Sequence, residues 1–234
     1  MLAAVPAAAG HLPYNMETIS VTDGLCSNNV YAVVQDQVGY MWFGTDNGLD
    51  RYDGKTLKHY VHDSENNFSL TSSTINCLIY SDCFGLLAGT ENGICRYVPE
   101  KDIFASWFSE VTGGENVRTF FEEPDSTLWI GTNSGLYRVD AAGDEIINYN
   151  MSNSGVSHNI VRAIYADDRY VFVATFDGVS RMEKSTGKWI NLNLKKYYIK
   201  LPQNNLVLSI LQSPWDMDVL YIGMQTGFCV LDKN

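Results

Sequence analysis

The chain has 234 residues, 16 basic against 27 acidic side chains for a net charge of -11, and 45% apolar residues. That length can bury a sizeable core, and the acidic excess argues against non-specific nucleic-acid binding, which needs a basic face to neutralise phosphates. No apolar run reaches the ~18 residues of a membrane span, and the cysteines at 26, 77, 83, 95 and 229 form neither a C-x-x-C pair nor a dense framework. They read mainly as inert thiols, with room for one disulfide.

In chain order, residues 1–13 come first. Their apolar start and the Ala7-Ala8-Ala9 run resemble the end of a secretory signal, although the basic start and longer apolar core are missing; a flexible tail is the alternative. Residues 14–234 read as one repeat domain. A phrase close to G-T-x-x-G-L-x-R-Y, preceded by large apolar residues, recurs five times, beginning at Trp42, Leu87, Trp129, Phe172 and Tyr221. Its second glycines fall at 48, 93, 135, 178 and 227, in steps of 45, 42, 43 and 49 residues. Such a period means propeller blades or another repeat array, with repeats near 22–66, 67–111, 112–153, 154–200 and 201–234.

The first period predicts four strands, at Val30–Gln35, Tyr40–Thr45, Gly48–Tyr52 and Leu57–Tyr60, rich in β-branched and aromatic residues and separated by Gly, Asp and Asn. Four strands per period is the propeller blade. No capped helical stripe appears, so the expected fold is an all-β propeller of four-stranded antiparallel blades, five of them present. The fifth copy stops at Asn234, where its outermost strand should begin. Residues Tyr14 to Val21 could supply that strand and close a five-blade ring, or hang free on an open arc.

Aligned columns separate scaffold from site. Ala32, Cys77, Thr119, Ala163 and Ser209 are small and precede the larger apolar Val33, Leu78, Phe120, Ile164 and Ile210, the pattern of a crowded innermost strand. Trp42, Leu87, Trp129, Phe172 and Tyr221 are expected to fill the space between blades, and the second glycines to sit at turns with positive φ. Arg51, Arg96, Arg138 and Arg181 read as structural partners of nearby carbonyls or carboxylates. Asp53, Asp140, Glu183 and Asp232 read as turn and ion-pair residues.

Function in a propeller falls on variable loop positions at the end of the axial channel. Asn28, Ser73, Glu115, Asn159 and Asn205 occupy one column at that entrance. Three residues on, Tyr31, Asn76, Arg118, Arg162 and Leu208 form the one polar, variable column of the inner strands. Amide and guanidinium donors beside an aromatic face suit sugar hydroxyls and carboxylates. The candidate ligand-binding residues are therefore Tyr31, Asn76, Arg118, His158 and Arg162. The competing readings are Asx turns for the asparagines, surface placement for His158 and, for Arg118 and Arg162, simple pairing of each with a neighbouring blade's carboxylate.

Catalysis is not expected. Only Glu115 is acidic in the entrance column, where glycoside hydrolysis needs a carboxylate pair. There is no G-x-S-x-G, no histidine pair with metal-ligand spacing and no calcium-loop pattern at Asp46-Asn47-Gly48, so no metal or cofactor is expected. Trp215-Asp216 lies in an insertion of the fifth repeat rather than at a third-strand end, so it is no WD signature.

The segment from Asp23-Gly24-Leu25 through Asp36-Gln37-Val38-Gly39-Tyr40-Met41-Trp42-Phe43-Gly44-Thr45 to Asp53 resembles the two-component regulator propeller repeat, and its lead recurs at Gly155-Val156-Ser157-His158-Asn159. The resemblance implies the periplasmic sensor half of a hybrid two-component receptor from a glycan-degrading bacterium. It further implies an oligosaccharide signal, homodimerisation in the full receptor, seven blades per propeller, and a kinase outside this chain. A propeller serving only protein contacts or dimerisation is the alternative.

Overall fold

The computed structural model describes residues 17–192 and 206–233, so the 1–13 segment and Asn205 lie outside it. Among the described residues the chain forms five antiparallel sheets, each a meander in sequence order. The first blade comprises β1 (Val30–Gln35), β2 (Met41–Thr45), β3 (Gly48–Tyr52) and β4 (Leu57–Tyr60). The second contains β5 (Ile75–Ser81), β6 (Gly85–Thr90), β7 (Gly93–Val98) and β8 (Ile103–Trp107), and the third β9 (Val117–Glu122), β10 (Leu128–Thr132), β11 (Leu136–Val139) and β12 (Ile146–Tyr149). In the fourth are β13 (Val161–Ala166), β14 (Tyr170–Thr175), β15 (Gly178–Glu183) and β16 (Lys188–Leu192); the fifth has β17 (Val207–Gln212), β18 (Val219–Met224) and β19 (Gly227–Asp232).

The repeated phrase is the hairpin joining the second and third strands of each blade. The threonine hydroxyl closes it, since Oγ1 of Thr45, Thr90, Thr132 and Thr175 donates to the carbonyl of the second glycine at 2.9–3.0 Å. The same oxygen accepts the amide two residues on, as from Asn47 and Ser134. Those threonines are fully buried, so both hydroxyl functions are satisfied away from water. All five second glycines have positive φ, from 89° to 147°, as the columns predict. The first glycine has a different reason: a Cβ on Gly89 would lie 2.4 Å from Cys77 Sγ and 2.7 Å from Val117 Cγ1 of the next blade.

Blade walls are built from four of the five expected fillers; Tyr221, on the terminal blade, is only partly buried and belongs to none of the apolar clusters. Trp42, Leu87, Trp129 and Phe172 are essentially inaccessible, each within an apolar cluster. Each indole N–H reaches a carboxylate six residues upstream, Trp42 Nε1 donating to Asp36 at 2.8 Å and Trp129 Nε1 to Glu123 at 2.7 Å. The wall can therefore use the largest side chain without stranding its polar atom. Arg51 follows the structural reading, donating to Asp102 at 3.0 Å and Tyr97 Oη at 2.7 Å. Arg181 departs from it: its guanidinium lies 4.4 Å from the Tyr170 ring centroid, a cation–π contact in place of a carbonyl or carboxylate. Asp53 and Asp140 accept turn amides from Lys55, Thr56, Asp144 and Glu145. All five cysteines are free, so the disulfide left open above does not form.

Inner strands pack side by side in the order β1, β5, β9, β13, β17, and no comparable packing joins β17 to β1 among the described residues. The outward faces of the terminal blades are correspondingly open: Val33 is 53% exposed, Leu211 65% and Phe228 66%. Closure by Tyr14–Val21 is not observed. Residues 14–16 lie outside the described residues, 17–20 form no strand, and Val21–Asp23 is a 3-10 turn. Ser20 explains the turn, because its amide and hydroxyl both donate to the Asp23 carboxylate, at 2.9 and 2.8 Å. Such local capping competes with strand pairing. A one-turn helix, α1 (Ser109–Thr112), is the other local element the columns did not anticipate.

Candidate functional site at the channel mouth

Every inner strand contains the same irregularity. The ladder to its neighbour skips between Val30 and Ala32, Ile75 and Cys77, Val117 and Thr119, Val161 and Ala163, and Val207 and Ser209. The residues passed over are Tyr31, Asn76, Arg118, Arg162 and Leu208. A bulge releases its extra residue from the ladder and re-aims the side chain. These five residues line one cavity of about 340 Å³. Since each blade contributes one of them, the blades are arranged about a common axis and the bulges ring its mouth.

Two guanidiniums dominate the ring. Arg118 Nε donates to Asn133 Oδ1 at 2.5 Å, which fixes the fork. Burial and then the charge of Arg162 pull the Arg118 guanidinium below its ordinary value, with Glu91 opposing. Among the described residues neither arginine forms an ion pair. The reading in which each merely pairs with a neighbouring blade's carboxylate therefore finds no such pair among them. Two like charges held together in a partly dry recess favour an anion between them.

The remaining candidates divide. Asn76 Nδ2 donates to Asn116 Oδ1 at 3.1 Å and Val117 O at 2.9 Å, stitching the second blade to the third. His158 is absent from the cavity lining. Its ring stacks on Phe176 at 5.6 Å, and Phe176 in turn carries the Arg162 guanidinium at 5.7 Å, so the imidazole backs Arg162 through an aromatic spacer. The entrance column serves the scaffold: Asn28, Ser73 and Asn159 accept backbone amides of Val21, His62 and Met151. A second recess of about 290 Å³ between the third and fourth blades is occupied by their own charges, Lys184 pairing with Glu123.

Sequence columns found the ring, but not the bulge that builds it. Its one sequence trace, in four of the five copies, is a polar residue flanked by apolar or small ones within the inner strand; the fifth has Leu208.

Fold and mouth together define a blade-repeat propeller with a polar axial recess. Residues 24–47 match the family model described as the two component regulator propeller, so the first blade carries that repeat. Over 68 residues the chain is 31% identical to histidine kinase P4 of Formosa agariphila, a match spanning 29% of this chain and 5% of that protein. The extracellular domain assigned to the hybrid two component system BT3049 of B. thetaiotaomicron superposes with a TM-score of 0.70 at 19% identity, covering 94% of this chain and 36% of that one. The corresponding domain of BT4673 from the same organism gives 0.68 at 21% identity, covering 86% and 27%. The chain thus spans a minor part of each relative, and the structural likenesses establish the fold.

Proposed function

We propose that this chain is the extracytoplasmic, periplasmic sensing propeller of a hybrid two-component receptor. It binds an oligosaccharide bearing an acidic group at the bulge-lined mouth and passes the signal to a kinase outside these residues. The carrying observation is the pair Arg118 and Arg162, released from their strands by bulges into one recess with no ion pair among the described residues. The family match over residues 24–47 and the extracellular receptor domains of similar fold support the sensor role. In this reading Arg118 and Arg162 grip a uronate or sulfate, Tyr31 offers a ring face to a sugar, and the chain performs no catalysis.

Isothermal titration with uronate-bearing and sulfated oligosaccharides, each beside its neutral counterpart, tests the reading. Wild type should bind at least one acidic glycan, and Arg118→Ala should fold normally and bind it more weakly. A folded Arg118→Ala with unchanged affinity for every bound glycan would remove this arginine from the site.

A second reading, a platform for protein contacts or dimerisation, is favoured by the exposed apolar side chains of the terminal blades, Val33 and Leu211. Sedimentation equilibrium separates it: concentration-dependent dimers lost on Leu211→Glu would support it, and a monomer at all concentrations would not.

A further inference from the structure

In three of the blades the segment leading into the inner strand is latched to the third strand of the same blade. In the second, Thr71 N and Oγ1 approach Cys95 Sγ at 3.1 and 3.2 Å. In the fourth, Ser157 N and Oγ meet Ser180 Oγ, both at 2.9 Å. Both latches are neutral. In the first blade the same positions hold Cys26 and Asp50, with Cys26 N donating to Asp50 Oδ2 at 2.9 Å.

A third group joins them there. His59 stands opposite Asp50 on β4, at the register position that Ser106, Asn148 and Asn191 occupy in the next three blades. Its Nδ1 contacts Asp50 Oδ1 and lies 3.3 Å from Cys26 Sγ. The three ligand atoms all fall within 4.8 Å of one another. One blade has thus replaced a neutral latch with a thiol, an imidazole and a fully buried carboxylate, and a buried carboxylate is costly unless a cation compensates it.

We propose that Cys26 Sγ, Asp50 Oδ1 and His59 Nδ1 bind a divalent cation of zinc type, clamping the lead segment onto the first blade. The donor set of one thiolate, one imidazole and one carboxylate is that of Zn²⁺, which holds sulfur and nitrogen ligands about 3.6 Å apart in a tetrahedron. Asp50 is oriented by a supporting contact, since the Cys26 amide occupies Oδ2; the ion would replace the direct contact between Oδ1 and His59 Nδ1, drawing the two atoms apart as ligands. The imidazole is 47% exposed, giving the ion an entry path and water the fourth position. The Cys26 thiol gives up its proton to the solvent as the metal binds, and the resulting thiolate is the ligand. Sequence spacing concealed the site: its ligands are 24 and 9 residues apart, on a loop and two strands.

The test is Co²⁺ titration of the chelator-stripped 234-residue protein, read by the thiolate-to-cobalt charge-transfer band and by displacement with Zn²⁺. Wild type should show the band with one equivalent bound. Cys26→Ser should abolish it. His59→Asn, which installs the side chain used at this position in the third and fourth blades, should keep the native circular dichroism spectrum and weaken binding by at least the ~10–100-fold that a supporting residue costs. Cys83→Ser, altering an exposed thiol elsewhere, should leave the band intact. No band in wild type, or a band that survives Cys26→Ser, would overturn the site; His59→Asn binding as tightly as wild type would remove the imidazole and overturn it equally.

Discussion

The wall between two blades and the mouth they surround are built from the same strands by opposite rules. In β9, Val117 is fully buried and so close to Gly89 that a single added carbon would collide with it, while Arg118 beside it leaves the ladder and reaches the recess. Ladder positions fix the distance between blades; the bulge position carries no ladder contact and is free to be Tyr, Asn, Arg or Leu. The difference teaches where a substitution should act, on stability at the wall and on binding at the mouth.

The largest effect should come from the wall. Trp129 is 1% exposed, and its indole both fills the space between the third and fourth blades and donates to Glu123. Trp129→Ala should cost about 3–5 kcal/mol in urea denaturation. A cost near that of a surface substitution would break the comparison.

Gly135→Val should come next, at roughly 1–3 kcal/mol. Its φ is 130°, and a Cβ there would lie 2.4 Å from the Tyr149 carbonyl oxygen. Asp46→Ala, in the equivalent hairpin of the first blade, removes only exposed contacts with Ser27 and Asn29 and should leave the melting temperature nearly unchanged. Equal losses at both sites would mean that the glycine is not held by its backbone.

A smaller, pH-dependent effect belongs to the outer rim of the first wall. Burial alone would raise the Asp102 carboxyl, but hydrogen bonds from Lys58, Tyr60 and Tyr97 and the charge of Arg51 outweigh it and hold the group well below the carboxylate range. A depressed folded-state value gives stability that is present above the unfolded value near ~3.9 and fades as pH falls toward the folded one. Asp102→Asn should therefore destabilise at pH 7 and flatten the acid limb of the stability curve. An acid limb of wild-type slope in the variant would show that this cluster does not couple the blades.

Much of this was legible because each column was sampled five times. The strands of the first blade, to within one residue, the positive φ of the second glycines and four of the five fillers follow from repetition, which averages out the ambiguity of a single short strand. What repetition cannot reveal is departure from it. The Ser20 capping turn stands where part of a closing strand was expected, and among the described residues such a cluster as Cys26, Asp50 and His59 comes together once. The cavity residues were legible as a variable column, but His158 was placed in the ring on loop position alone. Its stacking on Phe176 depends on a residue of the hairpin column that is Asp, Glu, Asn or Gln in the other copies.

The most direct test of the central claim compares one glycan with and without its acid group. Calorimetry should be run with the sulfated or uronate form and its neutral analogue against wild type, Arg118→Ala, Arg162→Ala and Arg118→Lys. Wild type should prefer the acidic form by about 10–100-fold, the range of a hydrogen bond to a charged group. Either alanine variant should lose most of that preference while keeping its fold, and lysine should restore only part of it, because a point charge does not reproduce the guanidinium fork. Equal affinity of wild type for both forms, or a preference unchanged in both alanine variants, would contradict an arginine-lined site for an acidic sugar.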